Sequence, residues 1–323
     1  MALPIHPILG ILGDNLRLRG SVLPLTRAAS TRWAKGLNLP RGGATVLYTG
    51  HMYQLIPAID AMAGQMARLE NSPVTKLFGL GRMVNKIINL SFFMSLLASR
   101  ELKQRNDEAL QNIARLLQAA GLEFGYLYGD EMYSGALVYD EGLDDIFARH
   151  AKRVAERFKK HGVRKVITVD PHTTNMLREI YPKFVEGFDV EVVSYLDVLA
   201  EEAPEVVRSS NASVAMHDSC VYARYEGIVD QPRTLMARAG VTVGEPELSG
   251  LATHCCGGPI ESLFPGEAHR IAKARIEQLR EAGDSIVTSC PICWVNLRKA
   301  AGEMVPVQDI SDLLSKAYVA ASD

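Results

Sequence analysis

Short runs of apolar residues alternate with longer amphipathic segments along the chain. Runs such as 44–49 and 165–169 are rich in β-branched side chains and predict buried strands. Segments such as 101–120, which is closed by Gly121, carry apolar residues at helical spacing. Because the two signals keep alternating, the sequence predicts an α/β fold in which small, mostly parallel sheets are flanked by helices.

The same pattern predicts an order of elements. Residues 1–43 are basic and show no clear period, so we expect an irregular N-terminal arm there. The segment 75–98 is unusually apolar, but Arg82 and Lys86 make it a poor membrane span, and it predicts a core or interface helix. Strands are predicted at 44–49, 124–128, 165–169, 213–216, 241–245 and 285–288, and helices at 54–70, 75–98, 101–120, 140–161, 268–282, 294–301 and 309–320.

All five cysteines lie in the last third of the chain, in one ordered series. Cys220 comes first, Cys255 and Cys256 follow after 34 residues, and Cys290 and Cys293 follow after a further 33. Each group comes after a predicted strand. Since the ends of parallel strands meet at one edge of a sheet, three loops can bring five sulfurs to one point.

Five thiolates at one point would carry about five negative charges, which an apolar interior does not tolerate without a metal. A single zinc ion takes four ligands and leaves one cysteine spare, whereas a multi-iron cluster offers several metal corners. The count therefore favours iron and sulfide. A zinc site, dithiol chemistry at Cys290-Pro-Ile-Cys293 and buried structural thiols remain the alternatives.

The series resembles the cysteine-rich CCG domain of heterodisulfide reductase B-type subunits and of iron–sulfur subunits of lactate and glycolate oxidases. The pattern is closer to B-type subunits of heterodisulfide-reductase-like complexes of sulfur oxidisers. This resemblance implies a noncubane [4Fe-4S] cluster held by Cys220, Cys255, Cys256, Cys290 and Cys293. It also implies an oxidoreductase subunit with flavin- and ferredoxin-type iron–sulfur partners, and a small thiol, disulfide or carrier-bound sulfur substrate.

The first half of the chain aligns with the second as a copy without cysteines. Val166–Thr173 matches Ile286–Cys293, and Tyr133-Ser134-Gly135 stands in the place of Cys-Cys-Gly. The positions equivalent to the five cysteines are His51, Tyr133, Ser134, Asp170 and Thr173. We therefore predict two pseudo-repeated domains: 44–208, a degenerate copy with a helical insertion, and 209–323, which holds the cluster.

The thiol-free site of the first half leaves three interpretations open. It is a closed vestigial pocket, a site for a polar substrate or sulfur species, or a mononuclear site for zinc or ferrous iron, because its oxygen and nitrogen donors are harder than thiolate. The substrate interpretation assigns catalytic roles to His51, Tyr133, Asp170 and His172.

Composition narrows the functional class. The chain has 35 Lys and Arg against 37 Asp and Glu, so its net charge of −2 gives no reason to expect nucleic-acid binding. No basic leader precedes the first strand, and clustered cysteines fit a reducing compartment, so we expect a cytoplasmic protein without a membrane span. The leading hypothesis is a catalytic redox subunit, and the alternatives are a non-catalytic electron relay or scaffold and a zinc-binding regulatory subunit.

Overall fold

The computed structural model describes residues 5–69, 78–87, 97–261 and 263–320. Within these ranges the chain forms two four-stranded sheets in which every pair of neighbouring strands is parallel. The strands β1 to β8 span Thr45–Tyr48, Gly125–Tyr126, Lys165–Thr168, Glu191–Ser194, Ser213–His217, Thr242–Gly244, Ile286–Thr288 and Val307–Asp309. This arrangement confirms the predicted α/β fold with two repeated units.

Helices cover both sheets. In the described part of the chain, α1 to α14 span Ile5–Arg19, Arg27–Thr31, Met52–Leu69, Phe78–Ile87, Arg100–Ala119, Ala136–Asp140, Asp144–Lys160, Pro171–Asn175, Tyr181–Phe184, Tyr195–Glu201, Asp230–Arg238, Pro265–Arg280, Pro291–Ala301 and Ile310–Tyr318. The described residues also contain two turns of π-helix. Met176–Ile180 directly follows helix α8, and Tyr222–Glu226 begins two residues after Cys220. None of the helices in the described ranges combines the length and apolar character needed to cross a bilayer.

The two sheets have the same strand order. The first runs β2-β1-β3-β4 and the second β6-β5-β7-β8, so strands equivalent in sequence take equivalent places. His51 and Cys220 each lie three residues beyond the end of the strand before them, and Asp170 and Cys290 each lie two residues beyond theirs. The internal repeat inferred from sequence is therefore also a repeat in topology.

The hydrophobic core runs through both halves. One buried cluster contains Leu47 and Ile167 from the first sheet together with Met216 and Val287 from the second. Strands β1, β3 and β7 are buried along almost their whole length, which explains why their sequences are continuously apolar. The two halves therefore share one core.

A polar contact also joins the two halves beside the first cysteine. Glu226, on the π-turn that follows Cys220, has a fully buried side chain. Its carboxylate accepts hydrogen bonds from Arg178 Nη1 at 3.0 Å and from Asn175 Nδ2 at 2.8 Å. Because Arg178 and Asn175 belong to the first half, this contact ties the loop of the first ligand to the opposite half.

The N-terminal prediction is wrong for residues 5–19 and 27–31, which form helices α1 and α2 and not an irregular arm. Ile8, Leu12 and Leu16 recur every four residues, and all three side chains are buried in the core of the first half. The prolines around this short stretch obscured a helical period that tertiary packing stabilises.

The predicted helix at 75–98 is confirmed for residues 78–87, while residues 75–77 and 88–96 lie outside the described residues. Helix α4 packs on α1 through its polar side: Arg82 Nε donates to Asp14 Oδ2 at 2.8 Å, and Asn85 Nδ2 donates to Asn15 Oδ1 at 2.9 Å. Its apolar side, with Ile87 87% exposed, faces away from the body of the protein.

Candidate metal centre

Each cysteine occupies a place that its local structure fixes. Cys220 lies in the loop after β5, and Cys255 and Cys256 lie in the loop after β6. Cys290 is the N-cap residue of α13, and Cys293 lies in the first turn of that helix. All three loops leave the carboxyl edge of the second sheet, as the spacing predicted.

The five sulfurs form one continuous series of contacts. Hydrogen-bonding contacts link the thiol of Cys220 to Cys255, Cys255 to Cys256, Cys256 to Cys293, and Cys293 to Cys290. None of the five is in a disulfide. Cys256, Cys290 and Cys293 are buried, whereas Cys220 and Cys255 are partly exposed. One side of the group thus faces the protein and the other faces outward.

These contacts divide the thiols into two electrostatic classes. Hydrogen bonds from Cys220 and Cys256 hold the pKa of Cys255 well below its ordinary value. Burial raises the pKa of Cys290, but hydrogen bonds from Cys293 and His172 outweigh it and lower that pKa overall. The pKa values of Cys220, Cys256 and Cys293 are raised, first by these hydrogen bonds and then by burial. The protein alone cannot ionise all five thiols together.

This donor set fits a polynuclear iron–sulfur centre. Five uncrosslinked sulfurs linked pairwise in one series exceed the four ligands of a closed zinc site and match the several corners of a cluster. The thiols with raised pKa values would need nearby positive charge in order to ionise, and the iron ions of a cluster would supply it. It would be held by all five cysteines and would provide one-electron chemistry next to the exposed pair.

The two glycines after the cysteine pair are required by the turn. Gly257 has φ +81°, a left-handed conformation, and a Cβ there would lie 2.5 Å from Ala268 O. A Cβ on Gly258 would lie 2.3 Å from Ile292 Cγ2. The Gly257 N–H also donates to Cys255 Sγ at 3.3 Å. The turn therefore combines close packing with a backbone hydrogen bond to a ligand sulfur.

Two arginines that sequence reasoning missed support the cysteine loops. Arg233 binds the buried Asp218 through both terminal nitrogens, at 2.7 and 2.9 Å, and Asp218 also accepts from Gly250 N at 2.7 Å. Arg275, on α12, is fully buried and donates to His217. A basic residue among the apolar positions Ala268, Ala272 and Leu279 of this helix was the available signal.

His217 extends the group of donors. One of its ring nitrogens and the sulfurs of Cys256 and Cys293 all lie within 4.8 Å of one another, the one cluster of this kind among the described His, Cys, Asp and Glu residues. Burial, followed by the charge of Arg275, lowers the pKa of His217 to about 3, so the imidazole is neutral. His254, the other histidine beside a ligand, bonds the carbonyl of Cys255 through Nδ1.

The equivalent site in the first half contains no thiol and is closed. Ser134, Asp170 and Thr173 are fully buried, and His51 is 9% exposed. In each of them one side-chain atom is buried without a hydrogen-bond partner; these atoms are His51 Nε2, Ser134 Oγ, Asp170 Oδ2 and Thr173 Oγ1. The first half thus keeps the pocket geometry but fills it with small polar groups.

The four predicted catalytic residues differ in their surroundings. Burial lowers the pKa of His51 to about 4 and raises that of Asp170 to about 7. Asp170 Oδ1 caps helix α8 by accepting from Thr173 N at 2.9 Å, and the Tyr133 hydroxyl accepts from Leu137 N at 2.9 Å. These three lie in the interior, whereas His172 reaches the other half.

His172 connects the two sites. Its imidazole is hydrogen-bonded to Cys290, and its Nδ1 lies 3.8 Å from Asp140 Oδ2. Burial lowers the pKa of His172, but the Cys290 hydrogen bond and charge, with Asp140, raise it to about 9. A histidine of the first half therefore contacts a candidate ligand of the second.

A cavity of about 620 Å³ opens between the halves at this point. Its lining includes Asp140, His172 and Lys183 from the first half and Cys220 and Tyr225 from the second. A volume of this order accommodates a small-molecule ligand. The partly exposed side of the cysteine group is therefore accessible from a space whose walls carry both apolar and charged side chains.

The comparison with known protein families agrees with this arrangement. The cysteine-rich domain family, CCG, matches residues 98–178 and residues 214–298, which together make up about half of the chain. The chain belongs to the CCG family. The second match contains all five cysteines, and the first contains Tyr133 and Asp170 but not His51. The CCG repeat in the first half is therefore recognisable although its cysteines are absent.

Curated relatives of this CCG protein include iron–sulfur oxidoreductases. The chain is 31% identical over 234 residues to "Probable iron-sulfur-binding oxidoreductase FadF" of Bacillus subtilis, covering 67% of this chain and 32% of the relative. It is 32% identical over 224 residues to "EtfAB:quinone oxidoreductase" of Syntrophomonas wolfei, covering 64% and 31%. It is 26% identical over 219 residues to one subunit of the dihydromethanophenazine:CoB–CoM heterodisulfide reductase of Methanosarcina mazei, covering 63% and 54%. The chain thus spans from about a third to just over half of these relatives.

Proposed function

We propose that this CCG protein is an iron–sulfur redox subunit of a heterodisulfide-reductase-like complex, acting on a small thiol, disulfide or carrier-bound sulfur substrate. The observation that carries the proposal is the cavity between the halves, which reaches both Cys220 and His172. A substrate sulfur in this space would lie beside the exposed side of the cysteine group. The similarity to the heterodisulfide reductase of Methanosarcina mazei supports the sulfur chemistry.

For the cofactor we propose one noncubane [4Fe-4S] cluster, with Cys220, Cys255, Cys256, Cys290 and Cys293 as its ligands. The continuous contacts among the five sulfurs support this count. We assign these ligands to a domain 209–323 and the thiol-free copy to a domain 44–208. Because the first half offers no thiols, this chain can build only one such cluster, and we do not expect a reaction between two facing clusters of the same chain.

The proposed reaction balances as a two-electron exchange at sulfur. The S–S bond of a disulfide takes up two electrons and two protons and gives two thiols; in the opposite direction, two thiols lose the same particles. A flavin or ferredoxin-type iron–sulfur subunit supplies or accepts the electrons one at a time. The chain itself positions the substrate sulfur and the protons around it.

Among the four candidate catalytic residues, we propose that His172 contacts the substrate. Its imidazole lies between Cys290 and Asp140 at the cavity wall, where it can donate a hydrogen bond to a sulfur. Asp170 supports it by capping the helix that bears it, and Tyr133 lines a smaller apolar cleft on its other side. His51 supports the interior of the same half.

We further propose that helix α4 contributes to docking of a partner subunit. Its charged and amide side chains are engaged by α1, while Leu80, Met83 and Ile87 are more than half exposed. Replacing these three residues by glutamate should abolish co-purification with the partner subunits and leave iron content unchanged. Unchanged co-purification would remove α4 from the interface.

Metal analysis and substrate-dependent spectroscopy test the function. Anaerobically purified protein should contain about four irons with sulfide, and cystine or oxidised glutathione should change its paramagnetic spectrum. His172→Gln should weaken that change, whereas His269→Gln, an exposed histidine outside the cavity, should not. A loaded but silent cluster would indicate an electron relay or scaffold, and one zinc ion in a colourless protein would indicate a regulatory zinc subunit.

A further inference from the structure

We propose that His217 donates a hydrogen bond from Nε2 to the sulfur centre, that the buried Arg275 holds it in that tautomer, and that the pair thereby raises the centre's reduction potential. This inference rests on the proposed iron–sulfur function. It makes His217 and Arg275 positioning residues that tune the centre from its buried side, and it excludes His217 as a metal ligand.

Arg275 is held in place on the protein side. Its side chain is fully buried on α12, and Nη1 donates to Leu248 O at 2.9 Å and to Gln278 Oε1 at 2.7 Å. Its Nε donates to His217 Nδ1 at 3.1 Å. These bonds come from three directions around one planar group, so the guanidinium presents Nε to the imidazole in a fixed geometry.

The donor character of arginine fixes the tautomer of His217. A guanidinium has N–H donors and no acceptor, so the Nδ1 atom facing it must be the unprotonated nitrogen of the ring. The proton of the neutral imidazole is then on Nε2. That atom is buried and has no hydrogen-bond partner in the part of the chain described. An N–H group in that position requires an acceptor.

The sulfurs of Cys256 and Cys293 are the acceptors at hand. A His217 ring nitrogen lies within 4.8 Å of both, and both cysteines are buried. Sulfur accepts weakly as a neutral thiol, but a thiolate bound to a metal or a cluster sulfide carries the charge that an N–H group favours. The buried side of the centre thus meets a donor, while the Cys220 side remains open to the cavity.

The same argument decides whether His217 binds the metal. A histidine that ligates a metal donates its second ring N–H to a carboxylate, carbonyl or water. Here the second position faces a donor, and ligation through Nε2 would need both ring nitrogens to be unprotonated. A zinc site built from His217, Cys256 and Cys293 therefore conflicts with Arg275. The histidine fits the role of a hydrogen-bond donor to sulfur.

Hydrogen bonds to sulfur stabilise the more negative, reduced state of an iron–sulfur centre and raise its potential. In anaerobic redox titrations followed by paramagnetic resonance, His217→Phe should titrate at a lower potential than wild type, with unchanged iron per chain. His217→Gln, which keeps an N–H donor, should restore most of the difference. Arg275→Lys keeps the charge but not the planar geometry and should shift the potential in the same direction as His217→Phe.

Pulsed paramagnetic resonance with ¹⁵N-histidine gives a second readout on the wild-type protein. A weak nitrogen coupling that persists in His172→Gln and disappears in His217→Gln is expected. A coupling as strong as that of a directly bound nitrogen, or iron loss in His217→Phe, would make His217 a ligand and overturn the inference. An unshifted potential in a fully loaded His217→Phe would also overturn it.

Failure of this inference is distinguishable from failure of the proposed function. A loaded wild-type centre that ignores disulfides removes the catalytic function and leaves the potential measurements valid. A loaded, substrate-responsive centre whose potential is insensitive to residue 217 removes only the inference. Purified protein without iron and sulfide contradicts both.

Discussion

The two halves of this protein build the same pocket with opposite chemistry. Gly135 and Gly257 follow equivalent turns and have nearly the same left-handed backbone, with φ +89° and +81°. One turn carries Tyr133 and Ser134, and the other carries two cysteines that belong to a series of five. The comparison teaches that the sheet, its loops and its glycines do not require thiols, because both halves build them and only one contains cysteines.

The loops are also fastened differently in the two halves. In the second half, Asp218 is paired with Arg233 and accepts from the Gly250 N–H of the next loop. In the first half, the buried Glu131 accepts from the Thr49 N–H and hydroxyl, both at 2.7 Å. An ion pair therefore stabilises the loops of the cysteine-bearing half, and a buried acid that accepts from neutral donors stabilises those of the other half.

The largest expected effect comes from exchanging ligands. Cys290→Ser should reduce iron and sulfide to background, because the N-cap thiol is in contact with Cys293 and has the lowered pKa of a thiolate ligand. The equivalent change in the first half, Asp170→Asn, should leave both at the wild-type level. Metal and sulfide analysis of anaerobically prepared protein measures this. Equal loss in both variants would contradict the division of labour between the halves.

Substitutions at Gly135 and Gly257 test whether the two equivalent turns are equally constrained. Gly257→Ala should destabilise the protein by about 2–3 kcal/mol, because a left-handed L residue is strained and its Cβ would approach Ala268 O. It should also lower iron occupancy. Gly135→Ala should lower the free energy of unfolding without changing iron occupancy, since its Cβ would lie 3.0 Å from the ring of Phe147. Chemical unfolding combined with iron analysis separates the two results.

Glu131 should give the first half a pH dependence of stability. Burial raises the pKa of Glu131 from its ordinary value near 4.5 to about 7 in the folded protein. Between these values the folded state keeps a proton that the unfolded state has released, so this contribution is full below pH 4.5 and is lost as pH rises through 7.

The change Glu131→Gln isolates that dependence. Between pH 5 and pH 8, wild type should lose about 1–3 kcal/mol more of its free energy of unfolding than the glutamine variant does. Chemical unfolding at the two pH values measures the difference. Parallel losses in the two proteins would show that Glu131 is ionised, or hydrated, throughout the range.

The smallest expected effect is at Tyr133. Tyr133→Phe removes the acceptor of the Leu137 N–H and should cost about 0.5–1.5 kcal/mol of stability. It should leave iron content unchanged, whereas Cys255→Ser, at the equivalent position of the second half, should reduce it. Thermal unfolding and metal analysis provide the comparison. A metal-depleted Tyr133→Phe would mean that the tyrosine supports the centre across the interface.

Much of the fold could be predicted because its central strands are buried on both faces. The apolar runs that became β1, β3, β5 and β7 are short, β-branched and bounded by polar loops, which is the signature of a parallel sheet. The edge strands β4 and β8 escaped detection. Glu191–Ser194 is half exposed, and Val307–Asp309 passes directly into a helix, so neither shows a clear apolar period.

The convergence of the cysteines could be predicted because each cysteine group follows a predicted strand, so that neighbouring residues alone indicate its position at the edge of the sheet. The role of Arg275, the contact of His172 with Cys290 and the cavity could not be predicted, because they depend on how α12 packs beneath the cysteine loops and how the halves meet. A buried arginine on an apolar helix face was visible in the sequence, but its partner, His217, lies 58 residues earlier in the chain.

The polar contact between the halves at Glu226 has a consequence for the loop that carries Cys220. The π-turn that carries this carboxylate begins two residues after Cys220, and its partners Arg178 and Asn175 belong to the opposite half. A displacement of Cys220 would therefore also act on the contact of Glu226 with Asn175 and Arg178. The loop that carries the first sulfur therefore cannot shift without disturbing a buried polar contact between the two halves.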